Sequence, residues 1–283
     1  MKRTMLLVCL ALTLTGLASA QVPQASHVFV VVEENHSYSS VIGSSSMPYL
    51  NNLAKKYGLA TQYYGNTHPS IGNYFMLTTG QIITNNDSYT GTVTANNIAR
   101  RFLVAGKTWK SYAEGLPYTG YIGGDYGRYR KHHNPFAYLS DVRNSSSEKL
   151  NLVPMWKFKS DLQNHTLPRF SYLVPNSCND AHDCSLTTAD NWLKNNIGPL
   201  ISSSTFRNGG LLLIVFDEGY SWDRAHGGGH VATVVIGPKV RSGKKSTKFY
   251  QHQSLLKLIL QASGVWSYPG ASSSAPEMGE FFY

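Results

Sequence analysis

Four short apolar runs punctuate the chain: HVFVVV (27–32), RFSYLV (169–174), GLLLIVF (210–216) and VATVVIG (231–237). Each is short, rich in β-branched or aromatic residues and bounded by Gly, Pro, Asn or Asp, which predicts buried strands of a mostly parallel sheet. Between them, MPYLNNLAKKYG (47–58), NNIARRFLVAG (96–106), TADNWLKNNIGPLI (188–201) and HQSLLKLILQASG (252–264) space their apolar residues at helical intervals, and three of the four end at glycine. Strands alternating with helices predict an α/β fold, a three-layer sandwich with a mostly parallel central sheet. Right-handed crossovers then gather the loops that follow the strands on one edge of that sheet. The Tyr-, Gly- and Ser-rich segment 115–147 reads as an insertion over that edge, and 268–283 as a Pro-, Ser- and Gly-rich tail without periodicity.

The first twenty residues follow another rule. Lys2 and Arg3 precede an apolar run that closes on Ala18-Ser19-Ala20, the order of a cleavable export signal and too short for a membrane span. Residues 21–283 are therefore expected to form a single domain, secreted or periplasmic. With 283 residues, 42% of them hydrophobic, the chain can bury a large core. After removal of Cys9, two cysteines remain, Cys178 and Cys184, bracketing NDAHD. A close, even pair in an exported chain favours a disulfide, with a metal pair or free thiols as alternatives.

The formal charge of +9 gathers in GRYRKHHNP (127–135) and KVRSGKKSTK (239–248). Such a field draws anionic substrates or an anionic membrane surface as a peripheral contact. No nucleic-acid-binding module is recognisable, so no nucleic-acid partner is expected.

Chemistry enters where strands end. HVFVVV runs into Glu33, Glu34 and Asn35, and GLLLIVF delivers Asp217 and Glu218 before Gly219 turns the backbone. A lone acid after a strand is often a helix cap, but two sets of oxygen donors at one sheet edge suggest a divalent cation. Between them, Ser70 opens a helical stretch containing Ile71, Tyr74, Phe75 and Leu77. On spacing alone Ser70 is an N-cap, yet the same place suits a hydroxyl facing a phosphate at a helix N-terminus.

Six motifs occur in order: ENHS (34–37), THPSIGNY (67–74), HNPF (133–136), PNSCNDAHDC (175–184), FDEG (216–219) and GGHVATVVIGP (228–238). Together they resemble the phosphoesterase family of secreted acid phosphatases and phospholipases C, within the alkaline phosphatase superfamily. The likeness covers nearly all of the chain beyond residue 20 and is closest to the short bacterial acid phosphatases, including those acting on phosphoinositides.

The resemblance implies an alkaline-phosphatase-like fold with Ser70 as nucleophile and Asn73 holding a phosphoryl oxygen. It implies Glu34, Asn35, Asp217 and Glu218 as ligands, with Ser70, of a divalent ion: Ca, Mg, Mn or Zn. Asp180, His182 and Asp183 match the family's acidic and histidine loop, and His133, His230 and His252 also stand at motif positions. Gly72 departs from a family position often held by Pro, and Gly219 from one often acidic, so a looser turn behind the nucleophile is expected.

A serine hydroxyl needs a metal or base to become a nucleophile. Ser70 would attack in line to give a phosphoseryl enzyme, and His182, or else His133 or His230, would protonate the leaving group. Arg128 and Lys131, interleaved with Tyr126 and Tyr129, would guide the phosphate ester, with Asp180, Asp183 and His252 nearby. The expected activity is an acid phosphatase acting on small-molecule or lipid phosphomonoesters. The alternatives are a phospholipase C and a non-catalytic basic surface-binding protein.

Overall fold

The computed structural model describes residues 21–283; the export signal expected at 1–20 lies outside the described residues. Eight strands form one sheet: β1 (Val28–Glu33), β2 (Gly58–Ala60), β4 (Trp109–Ala113), β5 (Leu152–Pro154), β6 (Phe170–Val174), β7 (Leu211–Phe216), β8 (Thr233–Ile236) and β9 (Lys245–Ser246). Their spatial order is β5-β4-β6-β1-β7-β8-β2-β9, and β3 (Tyr63–Tyr64) pairs with β10 (Tyr250–Gln251) in a separate ribbon. Helices α1 (Tyr38–Val41), α2 (Pro48–Lys56), α3 (Ile71–Thr79), α4 (Ile98–Val104), α5 (Ser140–Arg143), α6 (Trp156–Gln163), α7 (Leu186–Ser202), α8 (Ser204–Arg207) and α9 (His252–Ala262) complete the chain.

The four apolar runs are strands β1, β6, β7 and β8, and the four periodic segments are helices α2, α4, α7 and α9. β1, β6 and β7 are buried along their whole length, as expected of strands covered on both faces. Side chains alternate between those faces. Phe29 packs with Phe158 of α6 and Phe206 of α8. Phe170, on the opposite face, packs with Phe102 of α4 and Phe136. Helices α3 and α9 pack on one another, as do α2 and α7, giving the three layers expected.

One strand departs from the parallel set. β8 runs antiparallel to both β7 and β2. The intervening segment, 217–232, is Gly-rich and lacks helical periodicity, so no crossover helix carries the chain to the far end of the sheet. It returns directly from the edge where β7 ends.

Strands β4 and β5 have weaker sequence signals. WKSYA mixes polar and apolar residues, and its Ser111 is buried because its hydroxyl donates to Asn134 Oδ1 at 2.8 Å. The tail also differs from its featureless sequence: Phe281 and Phe282 are buried, and Glu280 accepts from Tyr250 at 2.8 Å.

Helix α2 begins at Pro48 without a cap from its own N-cap residue, Met47. Buried Asp190 of α7 replaces it, accepting from the Tyr49 and Leu50 N–H groups at 2.9 and 2.8 Å. A carboxylate on orphan N–H groups at a helix start is stabilising. Asp190→Ala is expected to cost about 1–2 kcal/mol, read as a lower denaturation midpoint with an unchanged slope in urea.

Candidate active site at the carboxyl ends of β1 and β7

β1 and β7 are adjacent and parallel, with Glu33 opposite Phe216. Both strands therefore release their chains at one edge, and the residues that follow converge. Glu34 and Asp217 are fully buried and Glu218 is 5% exposed. Asn35 turns the chain away with φ of 45°, a left-handed conformation that asparagine tolerates better than most residues. Backbone bonds fix the crossing: Asp217 N–H donates to the Glu33 carbonyl at 3.0 Å and Glu34 N–H to the Asp180 carbonyl at 2.7 Å.

Ser70 meets this group from a third segment. Its hydroxyl lies 3.0 Å from Glu34 Oε2, 3.3 Å from Asn35 Oδ1 and 3.4 Å from Glu218 Oε1. The N-cap reading of Ser70 does not describe its side chain: its φ of −48° and ψ of −46° are already helical, and the hydroxyl caps nothing. Asp87 does that work, accepting from the Ile71 N–H at 3.0 Å.

Asn73 is committed to the same turn. Its Oδ1 accepts from the Asn66 and Thr67 N–H groups, and its amide donates to the Thr67 carbonyl at 2.8 Å and to Glu218 Oε2 at 3.3 Å. These bonds brace the turn on the side of Asn73. A Cβ at 72 would collide with Asn85 and Thr67; glycine here permits a close approach.

His133 is buried between two acids, with Nδ1 3.0 Å from Asp180 Oδ2 and Nε2 3.4 Å from Glu34 Oε1. Burial pushes its pKa down to about 3. Burial pushes Asp180 up to about 7 and so favours the uncharged form of both partners. Burial likewise raises Glu34, Asp217 and Glu218, with repulsion among the acids adding to the effect at Glu34 and Asp217. Glu33, also buried, has no partner for either side-chain oxygen and is raised for the same reason.

The remaining predicted residues spread outward. His182 is exposed, its Nδ1 2.8 Å from Asp183 Oδ1 and its ring 5.9 Å from that of His133. Asp183 also accepts from Ser177 at 2.5 Å, which lowers its pKa. Cys178 and Cys184 form the disulfide, closing this loop, and Arg128 rests 3.7 Å from Cys184 Sγ. Lys131 is buried, its ammonium 4.5 Å from the Tyr138 ring centroid, and burial lowers its pKa to about 8.

Two histidines serve the frame. His252 is fully buried, with Nε2 on the Asp217 carbonyl at 2.5 Å and Nδ1 3.1 Å from the Tyr63 hydroxyl. His230 bonds the Thr61 carbonyl at 3.0 Å and stacks on Tyr38 and Tyr64. Among the described contacts His230 does not touch the Ser70 cluster, and His252 touches it only through the Asp217 carbonyl.

Three further residues belong to the site. Tyr74, one turn from Ser70, donates to Glu34 Oε1 at 2.5 Å and stacks on His133. His68 Nδ1 lies 3.1 Å from Glu218 Oε2, which raises its pKa. Asp223 accepts from the Ser37 hydroxyl and the His230 N–H, and its carbonyl holds His68 Nε2. The signals for Tyr74 and His68 lay inside THPSIGNY. Asp223 had none in sequence, yet a Cβ on Gly219 would sit 3.1 Å from its carboxylate, so an acid from four residues onward fills the space beside position 219.

Among the described residues no three His, Cys, Asp or Glu side chains group as a metal's ligands would. The oxygen crowding involves an amide and a hydroxyl as well. Asn35 Oδ1 faces Glu34 Oε2 and Asp217 Oδ1 with no proton between them, a conflict that a rotated amide relieves. Buried Asp217 Oδ2 has no hydrogen-bond partner. A hard cation among these donors would relieve both faults, so the residues present fit one.

With that geometry in view, comparison with known proteins is informative. The Phosphoesterase family profile matches residues 44–266. A phosphatidylinositol-3-phosphatase of Mycobacterium tuberculosis is 30% identical over 94% of this chain and 86% of its own. A phosphate-repressible acid phosphatase of Penicillium chrysogenum is 30% identical over 78% of this chain, which spans 54% of that protein. A solved structure from the alkaline phosphatase superfamily, from Vibrio parahaemolyticus, superposes with a TM-score of 0.60 over 91% of this chain and 72% of its own, at 13% identity. The apposed strand ends, the enclosed serine and these likenesses agree: the chain belongs to the phosphoesterase family and is a phosphoric ester hydrolase.

Proposed function

We propose that this protein is an exported phosphatase that hydrolyses phosphomonoesters, phosphoinositides among them, with Ser70 as nucleophile and the transient formation of a phosphoserine. The observation that carries this reading is the Ser70 hydroxyl enclosed within 3.4 Å of Glu34, Asn35 and Glu218. The phosphatase names of the mycobacterial and fungal relatives support the substrate class.

Glu34 Oε2, the nearest acceptor at 3.0 Å, takes the hydroxyl proton as Ser70 attacks phosphorus. Tyr74 fixes the other Glu34 oxygen and so its orientation. His182, exposed and oriented by Asp183, donates a proton to the leaving oxygen. A divalent cation held by Glu34, Asn35, Asp217 and Glu218 would supply positive charge to the serine oxygen and the phosphoryl group.

A second reading, phospholipase C, draws on one observation. A cavity of about 750 Å³ lies at the carboxyl ends of β4 and β5, lined by Leu116, Met155, Trp156, Phe158 and Leu162. β4 is two strands from β1, roughly 10 Å at ordinary strand spacing, within reach of an acyl chain. Inorganic phosphate released from p-nitrophenyl phosphate supports the phosphatase; phosphocholine released from phosphatidylcholine supports the lipase. Among the described residues no helix is long and apolar enough to cross a membrane, so contact with a lipid substrate would be peripheral.

Ser70→Ala should reduce phosphate release at least about a thousandfold while leaving the circular dichroism spectrum unchanged; retention of more than a tenth of the activity would exclude the serine as nucleophile. Treatment with a chelator should abolish turnover, and titration with Ca, Mg, Mn or Zn should identify the ion that restores it.

A pH dependence follows for the chelated protein. Carboxyls whose folded pKa is raised bind more protons folded than unfolded, so the stability they contribute is full below the ordinary carboxylate range. It is lost as pH rises through their folded values, about 7 for Asp180. The buried histidines His132, His133 and His252, with lowered pKa, act in the opposite sense only up to their ordinary value of about 6.5. In chelator the melting temperature should therefore fall between about pH 6.5 and pH 8, and the restoring cation should reduce that fall.

A further inference from the structure

A second cavity, of about 500 Å³, lies between the loop after α3 and the 115–147 segment. Its lining includes Asp87, Tyr89, Asp125, Lys131, Tyr138 and Arg143. It adjoins the active site. Asp87 caps Ile71, the residue after Ser70, and His132, also in the lining, sits edge-on to His133 with ring centroids 4.4 Å apart.

The charges in this cavity are unevenly satisfied. Each acid is engaged by a backbone N–H: Asp87 Oδ1 by Ile71, Asp125 Oδ1 by Lys131 at 2.8 Å. The two cations lack carboxylate partners: among the described residues neither Lys131 nor Arg143 forms an ion pair. Lys131 is only 7% exposed; its ammonium lies over the Tyr138 ring and feels the Asp125 carboxylate without forming an ion pair with it. Arg143 gives one N–H to the Ala137 carbonyl at 3.1 Å, which leaves most of its five donors for a ligand. A buried ammonium without a counter-ion is costly, and an anion entering the cavity would remove that cost.

We propose that this cavity is a second anion subsite, built by Lys131 and Arg143, and that the preferred substrates are phosphomonoesters carrying a further phosphate or carboxylate. The inference rests on the phosphomonoesterase reading of Ser70 and adds a requirement to it. The phosphoryl group to be cleaved is held at Ser70 while the second anion is held by the two cations. Arg143 supplies a planar fork and Lys131 a point charge, an arrangement suited to either anion.

Steady-state kinetics on the full chain, reconstituted with the divalent ion that activates it, tests this with three substrates: fructose 6-phosphate, fructose 1,6-bisphosphate and 3-phosphoglycerate. Their far ends are neutral, phosphorylated and carboxylated. At least one dianionic-ended or carboxylated substrate should exceed fructose 6-phosphate about tenfold in kcat/KM, and which one does so identifies the anion. In Lys131→Met and Arg143→Met that ratio should fall toward one. Met conserves much of the buried lysine's volume, and Arg143→Met, at a less buried position, preserves the comparison if Lys131→Met does not fold. Ratios near one in the unmodified protein, or ratios unchanged in Arg143→Met, overturn the subsite. Absence of phosphate release from all three and from p-nitrophenyl phosphate instead overturns the phosphatase reading beneath it.

Discussion

The organising constraint of this molecule is the burial of like charges where two neighbouring parallel strands end together. In-register pairing of β1 with β7 leaves Glu34 no choice but to face Asp217 and Glu218. Carboxylates removed from water without counter-charge are strongly unfavourable. The surrounding structure is largely a response. Tyr74 and Ser70 donate to Glu34, Asn73 donates to Glu218, and His68 sets a raised pKa beside it. His252 reaches from α9 to hold the Asp217 carbonyl. Four of these residues come from one stretch, 68–74, and His252 from α9, so the site ties the start of α3 and the start of α9 to the two strand ends.

That response is incomplete in one informative way. A serine hydroxyl carries one hydrogen, yet Ser70 is surrounded by three acceptors within 3.4 Å. At most one can be satisfied at a time. Asp217 Oδ2 and the face of Asn35 extend the same deficit of positive charge. The protein invests its polar scaffold in orienting oxygen atoms around a point that its own protons do not fill, an arrangement that a divalent cation there would complete.

Much of this was legible in the sequence because it depends on short-range pattern. The apolar runs and the acids that follow them identify strands and their carboxyl ends, and the periodic segments identify α2, α4, α7 and α9. What escaped depends on contacts between distant segments. β8 reads like its parallel neighbours, since burial on two faces dictates the same composition whichever way a strand runs; only the lack of a helix in 217–232 betrays the reversal. Strand β4 hides behind Ser111, whose burial is intelligible only once Asn134 is beside it. Within the site, the segments carrying Glu34, Asn35, Ser70, Asp217 and Glu218 were named by motif and do come together. The roles of Tyr74, His68 and Asp223 are tertiary facts, as are the inward commitments of Asn73 and His252, whose polar atoms are taken up by the frame.

Position 72 shows how such tertiary facts constrain change. With no side chain there, the segment bearing Asn85 can lie against the first turn of α3, and the same segment brings Asp87 to the Ile71 N–H. A Cβ at 72 would displace the ends of the Asn85 and Thr67 side chains. Substitution at this site is thus a two-body problem: an incoming side chain and those of Asn85 and Thr67 must share the space behind the serine, so its effect depends on what stands at 85 and 67.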